Sequence, residues 1–482
     1  MTTLVVSFKA DFAHIINGRK IGSQTLQDVI NPATKEVIAA VPIATEEQLN
    51  EAVGAASRAL STWATVPAEA RQSSLSRMGD LVSEHLDEFI ELLIKEVGKS
   101  RQLATMEVGS CVDWLHGVAT QSPPTETLLD ASDRTVVMRY VPHGVCAAIT
   151  PWNFPMSLLI WKLAPALVTG NCIIVKPAPF APLCAMKFVE LAQQVFPPGV
   201  LSVLSGDGNL GPWIAAHPNI SRISLTGSIP AGQSVMRAAA SNLKSLTLEL
   251  GGNDGAVVLD DVDPKKIAPM LFWGTFHNSG QICAALKRIY IHENVYTAVR
   301  DELVAYARTI KVGNCLEPGV GMGPVQNKEQ YDKVKSLIED CQSNGYTFAC
   351  GGGGFPELDK KGYFLPISIV DNPPEHSRIV QEEQFGPIVP LLKWRDEDDV
   401  IKRMNYGVYG LAATVWSNDF ERARSIAEKL QAGTVWINES QQFHWDQAFG
   451  GFKHSGIGVE HSRHGLYAWT NIQTITLNRS GV

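Results

Sequence analysis

The chain has 482 residues, of which 45% are hydrophobic and 19% charged, and its formal net charge is -8. This composition is typical of a globular protein with about three domain-sized units, and it excludes a mostly disordered chain. The mild acidity provides no basic surface, so we expect neither nucleic-acid binding nor attraction to an anionic membrane.

The start of the chain and its cysteines both favour a reducing compartment. The first residues, MTTLVVSFKADFAHIING, lack the basic start, long apolar run and small-residue cleavage site of a secretory signal. The most apolar stretch, residues 156–175, is interrupted by Lys162, Pro165 and Gly170, which favours a core helix followed by a strand. Eight scattered cysteines without a C-x-x-C pair are typical of free thiols. We therefore expect a cytoplasmic protein with no membrane segment.

Residues 44–98 predict amphipathic helices. Thr45 is followed three positions later by Gln48, which is the capping-box pattern. Apolar residues then recur at helical spacing, at Leu49, Val53, Ala56 and Leu60. A second amphipathic stretch, residues 70–98, runs without an evident break and ends at Gly98.

The middle of the chain alternates strands with helices. VCAAIT, NCIIVKP, VLSVLS and ISRISLTG are short runs rich in Val and Ile, separated by helical stretches. Such a pattern predicts a parallel sheet covered on both faces. A second cycle extends from about residue 248 to residue 438, and TNIQTITL near the end alternates as an edge strand does. The sequence thus predicts an α/β fold with two Rossmann-like lobes.

Two loops have the composition of phosphate-binding turns. Gly206, Gly208 and Gly211 form G-x-G-x-x-G after an apolar strand, but no acidic residue closes a convincing second strand about 20 positions later. A plain turn is the alternative interpretation. Residues 226–228 leave the next strand, and Gly232 lies near the start of the following helix, where backbone N–H groups favour phosphate.

Four polar residues need a common explanation: Cys283, Glu249, Asn153 and Lys176. Each alone has an ordinary structural explanation, such as packing for the cysteine or a turn cap for the asparagine. Together, a thiol nucleophile, a carboxylate base and an amide donor suffice to attack a carbonyl, stabilise the oxyanion and hydrolyse an acyl-enzyme.

No metal site is predicted. The cysteines form no ligand pair, and His454, His461 and His464 are loosely spaced among charged residues. A solvated C-terminal helix is the favoured explanation for these histidines.

Seven motifs occur in the order in which aldehyde dehydrogenases carry them: TPWNFP, IIVKPA, LTGS followed by Gly, LELGG, GQIC, EEQFGP and FGGFKHSGIG. The chain resembles that superfamily over essentially its whole length. The resemblance implies NAD(P)-dependent oxidation of an aldehyde to a carboxylic acid, through a cysteine thiohemiacetal and a thioester that water hydrolyses.

The resemblance also implies roles for individual residues. Cys283 matches the nucleophile, and Glu249 matches the base that activates water. Asn153 matches the amide that holds the oxyanion, and Glu460 matches a glutamate that helps to relay the proton. The positions matched to the cofactor site are Thr150, Trp152, Lys176, Ala178, Thr226, Gly227, Ser228, Gly232, Leu250, Glu383 and Phe385. The positions matched to the substrate tunnel are Phe154, Leu158, Trp161, His277, Phe443 and Phe449.

Two positions depart from the family pattern. Pro179 stands where NAD-preferring members often carry a Glu that binds the ribose hydroxyls, so NADP is possible. NAD is the expected cofactor because the resemblance implies it for the family. Asn253 stands where Lys is usual, and we expect a structural effect there. The aromatic tunnel residues, without an arginine, favour an apolar or aromatic aldehyde over a carboxylated one. The alternative is that these aromatic residues are simply core.

Two rival functions remain at this point. A CoA-acylating dehydrogenase typically lacks the base, so Glu249 counts against it. A catalytically silent structural protein would have no need for Cys283, Asn153 and Glu249 together. The resemblance further implies a dinucleotide-binding domain (residues 1–120 and 143–251) and a catalytic domain (252–450). A small β oligomerisation element (121–142 and 451–482) completes the molecule, which we expect to form a homodimer or homotetramer.

Overall fold

The computed structural model describes residue 8, residues 10–354 and residues 356–480. The strands are β1 (His14–Ile16), β2 (Arg19–Ile21), β3 (Leu26–Ile30), β4 (Val37–Pro42), β5 (Glu126–Asp130), β6 (Arg134–Pro142), β7 (Val145–Ile149), β8 (Cys172–Lys176), β9 (Leu201–Val203), β10 (Arg222–Thr226), β11 (Ser245–Glu249), β12 (Gly255–Val258), β13 (Arg288–His292), β14 (Phe348–Cys350), β15 (Ser368–Asp371), β16 (Ile388–Trp394), β17 (Ala412–Trp416), β18 (Thr434–Ile437), β19 (Gly456–Ile457) and β20 (Thr470–Asn478).

The helices are α1 (Glu46–Trp63), α2 (Ala68–Glu84), α3 (Leu86–Val97), α4 (Arg101–Ala119), α5 (Ser157–Val168), α6 (Leu183–Ala192), α7 (Leu210–Ala216), α8 (Ile229–Ala239), α9 (Pro264–Phe276), α10 (Tyr296–Ala307), α11 (Lys328–Ser343), α12 (Pro356–Asp359), α13 (Arg378–Gln381), α14 (Glu397–Met404), α15 (Phe420–Ala427) and α16 (Ser462–Tyr467). Short 3-10 helices cover Ala240–Asn242, His277–Gly280 and Lys453–Ser455.

The first half of the chain, together with β19 from near its end, builds an eight-stranded sheet in the order β19-β11-β10-β7-β8-β9-β1-β2. The five strands from β11 to β9 are parallel, and antiparallel strands flank them at both edges. Strands β7, β8 and β10 are buried along their whole length, which is why they appear as continuous apolar runs in the sequence.

The second half builds a seven-stranded sheet in the order β14-β15-β16-β13-β12-β17-β18. All neighbouring pairs are parallel except β14 with β15. The last parallel strand of the first sheet ends at Glu249 and the first strand of the second begins at Gly255, so the chain passes from one sheet to the other between these residues. The predicted α/β fold with two parallel-sheet lobes is confirmed.

A separate three-stranded sheet, in the order β20-β6-β5, lies outside both lobes. Strand β20 pairs with β6 over its full length, from Thr470 opposite Pro142 to Asn478 opposite Arg134. Residues 451–482 do not all belong here, however, because β19 pairs with β11 in the eight-stranded sheet. The described part of the chain also contains a two-stranded sheet of β3 and β4.

The helices up to Gly98 are those predicted from the sequence, with one difference. Thr45 and Gln48 form the predicted capping box at the start of α1, and Gly98, at φ +82, ends α3. The single stretch expected from residue 70 to residue 98 is instead two helices, because His85 leaves the helical region at φ -115 and ψ 27. Periodicity did not reveal the break, since buried apolar residues continue on both sides of it.

No helix in the described ranges combines the length and apolar character that crossing a bilayer requires.

Candidate active site

The site forms at the carboxyl edge of the eight-stranded sheet. Thr150 follows β7, and Lys176, Thr226 and Glu249 are the last residues of β8, β10 and β11. In-register pairing places Thr226 beside Glu249, and Ile149 beside Lys176. Four residues far apart in the sequence therefore meet at one edge, which is where parallel sheets bind their ligands.

Cys283 lies in the segment between the 3-10 helix His277–Gly280 and β13. The approach is tightly bent, with Asn278 at φ +51, Ser279 at φ +57 and Gly280 at φ +75. A Cβ on Gly280 would lie 2.2 Å from the Gly386 carbonyl oxygen, so this position accepts glycine alone. Taken as whole residues, Cys283 and Cys350 are the two described cysteines that are partly exposed, and the others are buried.

Asn153 is held against the same segment. The Asn153 side-chain Nδ2 donates to the Gln281 backbone carbonyl at 3.0 Å, and the Asn153 backbone carbonyl accepts from Asn278 Nδ2 at 3.1 Å. Gln281 is in turn held by its Nε2, which donates to the Asn278 carbonyl at 2.7 Å. These bonds fix the amide of Asn153 beside the cysteine segment, and both residues face one cavity.

Glu249 carries a buried carboxyl group, 3% exposed, whose two oxygens have no hydrogen-bond partner among the described residues. Burial raises its pKa well above the ordinary value, the nearby Glu460 carboxyl raises it further, and Lys162 opposes the shift. A carboxyl group in this state binds a proton readily and has free lone pairs, as a general base requires.

Glu460 is tied to the sheet edge by a lysine that the sequence interpretation missed. Lys162 Nζ donates to Glu460 Oε1 at 2.5 Å and to Thr226 Oγ1 at 2.6 Å. Ser224 Oγ also donates to Glu460 Oε1, at 3.0 Å. Lys162 is fully buried on the apolar helix α5. A charged residue alone in such a helix was the available signal, because it requires a buried partner.

The Cys283 thiol is electrostatically unfavourable to ionise in this environment. Burial raises its pKa to about 12, and the carboxyl groups of Asp254, Glu249 and Glu383 act in the same direction. The Lys287 ammonium opposes them. A thiolate at neutral pH therefore depends on positive charge near the sulfur.

The residues matched to the cofactor line the sheet edge and the loops beyond it. Lys176 is buried, and desolvation lowers its pKa to about 8. The Thr150 Oγ1 is buried without a partner in the described structure. Ser228 caps helix α8 by accepting from the Ala231 N–H at 3.3 Å, so Gly227 and Ser228 stand at a helix N-terminus. Ala178 is buried just past β8.

The remaining positions matched to the cofactor site come from both lobes. A Cβ on Gly232 would lie 2.6 Å from Leu250 Cδ1, so helix α8 packs closely on the segment after β11. Glu383 Oε1 accepts from the Gly252 N–H at 2.9 Å. The rings of Trp152 and Phe385 meet edge to face, with centroids 5.4 Å apart.

Pro179 and Asn253, the two positions that depart from the family pattern, make ordinary contacts with the protein backbone. Pro179 is partly exposed, and its carbonyl accepts from Gln27 Nε2 at 2.9 Å. The glycine motif lies close by, since a Cβ on Gly211 would be 3.9 Å from Lys176 Cε. Asn253 Nδ2 donates to the Val380 carbonyl at 2.8 Å.

A cavity of about 450 Å³ opens beside Cys283 and Asn153. Five of the six residues matched to the substrate tunnel line it: Phe154, Leu158, Trp161, His277 and Phe443. Phe449 does not line it. That ring lies behind the wall, 5.1 Å from the Phe443 ring and 6.0 Å from the Trp161 ring.

The sequence interpretation missed several lining residues. They are Leu103, Met106, Glu107, Ser110, Trp114, Ser157, Met270, Trp273, Gly274, Ile282, Trp416, Glu439, Ser440, Gln441 and Gln442. Trp114 stacks on Trp161 at 5.7 Å and donates its Nε1–H to His461 Nδ1 at 3.1 Å. Burial lowers the pKa of His461 to about 3, so its imidazole accepts this bond in the neutral form.

The three histidines near the end of the chain separate in space. His461 is buried against tryptophans, while His454 and His464 are exposed. Within the described ranges, no three side chains of His, Cys, Asp or Glu come together as a metal site would require.

Comparisons with known proteins identify the family of this chain. The model of the aldehyde dehydrogenase family matches residues 20–475. Aldehyde dehydrogenase LUC3 of a Fusarium species is 36% identical over 97% of this chain and 98% of its own length. Mouse aldehyde dehydrogenase 1A1 is 36% identical over 94% of this chain and 91% of its own length.

Solved structures give the same result. Betaine aldehyde dehydrogenase of Staphylococcus aureus, in complex with NAD+, superposes with a TM-score of 0.94 at 30% identity, covering 99% of this chain and 96% of the other. A mutant aldehyde dehydrogenase of Bacillus cereus superposes with a TM-score of 0.95 at 34% identity, covering 98% of both chains. This chain therefore belongs to the aldehyde dehydrogenase family and is an oxidoreductase that acts on the aldehyde group.

Proposed function

We propose that the protein oxidises an apolar or aromatic aldehyde to the carboxylic acid, with NAD as the electron acceptor and water as the final nucleophile. The observation that carries this proposal is the meeting of three groups at one place. The thiol of Cys283 and the fixed amide of Asn153 line the cavity. The unpartnered carboxyl group of Glu249, at the end of β11, is near enough to the thiol to raise its pKa.

The residues at the sheet edge fit a dinucleotide. The buried ammonium of Lys176 suits the hydroxyl groups of a ribose, and the N-terminus of α8 at Gly227 and Ser228 suits the pyrophosphate. The unpartnered Thr150 Oγ1 is a further polar group at this edge. Glu383, Phe385 and Trp152 would hold the nicotinamide end, where NAD supplies a hydride acceptor.

Acylation uses the thiol and two donors. The Cys283 thiolate attacks the aldehyde carbon, forming a C–S bond and moving the carbonyl electron pair onto oxygen. The Asn153 Nδ2 and the Cys283 backbone N–H stabilise that oxyanion. The oxyanion then restores the C=O bond as hydride leaves the carbon, which gives the thioester.

Deacylation uses the buried carboxylates. Glu249 takes a proton from water, whose oxygen attacks the thioester carbon. The C–S bond breaks, the acid leaves, and Cys283 is returned to its starting state. Glu460, bonded to Lys162, accepts the proton from Glu249 and passes it away from the reacting atoms.

The cavity supports the choice of substrate. Its walls carry the aromatic rings of Phe154, Trp161 and Phe443, together with Trp114 and Trp273, and no arginine is among the described lining residues. Exposed Glu439 lies among the lining residues. Apolar walls and an acidic group favour an apolar or aromatic aldehyde over one with a distal carboxylate.

Each of the three larger sheets has a separate role. The eight-stranded sheet binds the dinucleotide, the seven-stranded sheet and its loops present Cys283, and the three-stranded sheet joins subunits. With Pro179 in place of a carboxylate near the ribose, NADP meets no repulsive charge there and should also be accepted.

Activity measurements on wild type and Cys283→Ala test the proposal. The assay follows formation of the reduced nicotinamide with a panel of aldehydes, with NAD and NADP in parallel and with and without CoA. We expect CoA-independent turnover that is best with apolar or aromatic aldehydes and is lost in Cys283→Ala. A requirement for CoA would favour the acylating reaction, and no turnover of any aldehyde would favour a structural protein.

A further inference from the structure

Lys287 follows the proposed nucleophile by four residues, and its side chain returns toward it. The residue is 3% exposed. Its Nζ donates to the Cys283 carbonyl at 2.5 Å and to the Ile282 carbonyl at 2.9 Å, with the Ala285 carbonyl at 3.5 Å. One ammonium group therefore holds both peptide units that flank Cys283.

The contact with the Ile282 carbonyl bears directly on the chemistry. That carbonyl belongs to the same planar peptide unit as the Cys283 N–H, the backbone donor proposed for the oxyanion. A cation on the carbonyl oxygen fixes the orientation of the plane. It also polarises the unit, so that the N–H becomes a stronger donor.

The same ammonium is a positive charge among acidic side chains. Its Nζ lies 4.0 Å from Glu383 Oε1, and the carboxyl groups of Asp254, Glu249 and Glu383 are all near enough to the thiol to raise its pKa. Among the described groups that act on the thiol, Lys287 lowers its pKa and the three carboxyl groups raise it. Asn253, where the family usually has a lysine, donates to a backbone carbonyl and supplies no charge.

We propose that Lys287 is a positioning residue for Cys283, which orients the two peptides beside the thiol and stabilises the thiolate through its charge. The proposal rests on the nucleophilic role proposed for Cys283.

The test measures the ionisation of Cys283 without turnover. Iodoacetamide alkylation of the peptide that contains Cys283 is followed by mass spectrometry as a function of pH in the NAD-free protein. We expect Lys287→Met to move the midpoint upward by about one pH unit and to slow alkylation near neutral pH about tenfold. Lys287→Arg should keep the wild-type profile, because it keeps the charge. In turnover, kcat should fall in Lys287→Met with little change in KM.

Lys244→Met is the matched control. Lys244 is also buried and donates to two backbone carbonyls, those of His217 and Ile220, but it precedes β11 at the end remote from Glu249. Its removal should leave the alkylation profile unchanged.

Two results would overturn the role of Lys287: a wild-type profile in Lys287→Met, or an equal shift in Lys287→Arg. If Lys287→Met does not fold, Lys287→Gln is compared with Lys287→Arg in its place. Retention of activity in Cys283→Ala would instead overturn the proposed function, whatever the alkylation profile.

Discussion

The Glu249 side chain shows how one residue's environment sets its chemistry. Its carboxyl group has no partner within the described structure, and burial raises its pKa. We predict that Glu249→Gln still acylates but hydrolyses slowly, because the amide cannot take a proton from water. Rapid mixing should show a burst of about one reduced nicotinamide per subunit, followed by a steady rate that is ~10²-fold to 10⁴-fold lower.

The pH dependence follows from the same groups. Burial raises the pKa of both Glu249 and Cys283, so their reactive, deprotonated forms increase as the pH rises. The wild-type steady rate should therefore climb from acid through neutral to mildly alkaline pH.

Hydroxylamine should restore turnover in Glu249→Gln by resolving the thioester in place of water. A variant without a burst would place Glu249 in acylation and contradict the prediction.

At the scale of elements, helix α5 carries one side of the cavity and is anchored by another helix. The N-terminus of α5 has no hydrogen bond from a capping side chain at Met156. Instead, Glu107 of α4 accepts from the Met156 N–H at 3.1 Å and the Ser157 N–H at 3.2 Å, and it pairs with buried Lys99. The Lys99 ammonium lies 3.3 Å from the centre of the Phe154 ring.

Removing this anchor should cost stability and activity together. Glu107→Ala leaves Lys99 buried without its ion-pair partner, which costs about 3–5 kcal/mol, and it loosens the segment that presents Asn153. Urea denaturation and kcat measure the two effects. Thr45→Ala, which removes the α1 cap, should cost about 1 kcal/mol and leave kcat unchanged. Full activity in Glu107→Ala would show that the anchor does not position Asn153.

At the scale of the molecule, β20 is an edge strand of the three-stranded sheet in the described part of the chain. Ile475 and Leu477 share a face of this strand and are exposed, as is Ile472. An apolar edge of this kind can pair with a second subunit. We predict that wild type forms a dimer or tetramer, and that the double substitution Ile475→Lys and Leu477→Lys reduces it to the 52.5 kDa monomer in light scattering.

Leu26→Lys serves as the control for that experiment, because Leu26 is an exposed apolar residue on the separate β3–β4 sheet. It should not change the mass. An unchanged mass in the β20 variant would place the subunit contact elsewhere.

The sequence by itself determined the two α/β lobes, and it predicted the point where the chain passes between them and the identity of the reactive groups. Buried parallel strands leave continuous apolar runs, and Cys283, Glu249 and Asn153 each stand in a short motif whose spacing is local. The break at His85 escaped detection because the apolar face continues across it.

Only the tertiary structure decided what surrounds those groups. Lys162 meets Glu460 across 298 positions and Trp114 meets His461 across 347, and no local pattern encodes either contact. Phe449 lies behind the cavity wall because ring packing, and not residue type, decides which aromatic side chain faces the cavity. Lys287, a lysine without a motif, lies against the nucleophile's peptides because the fold returns it there.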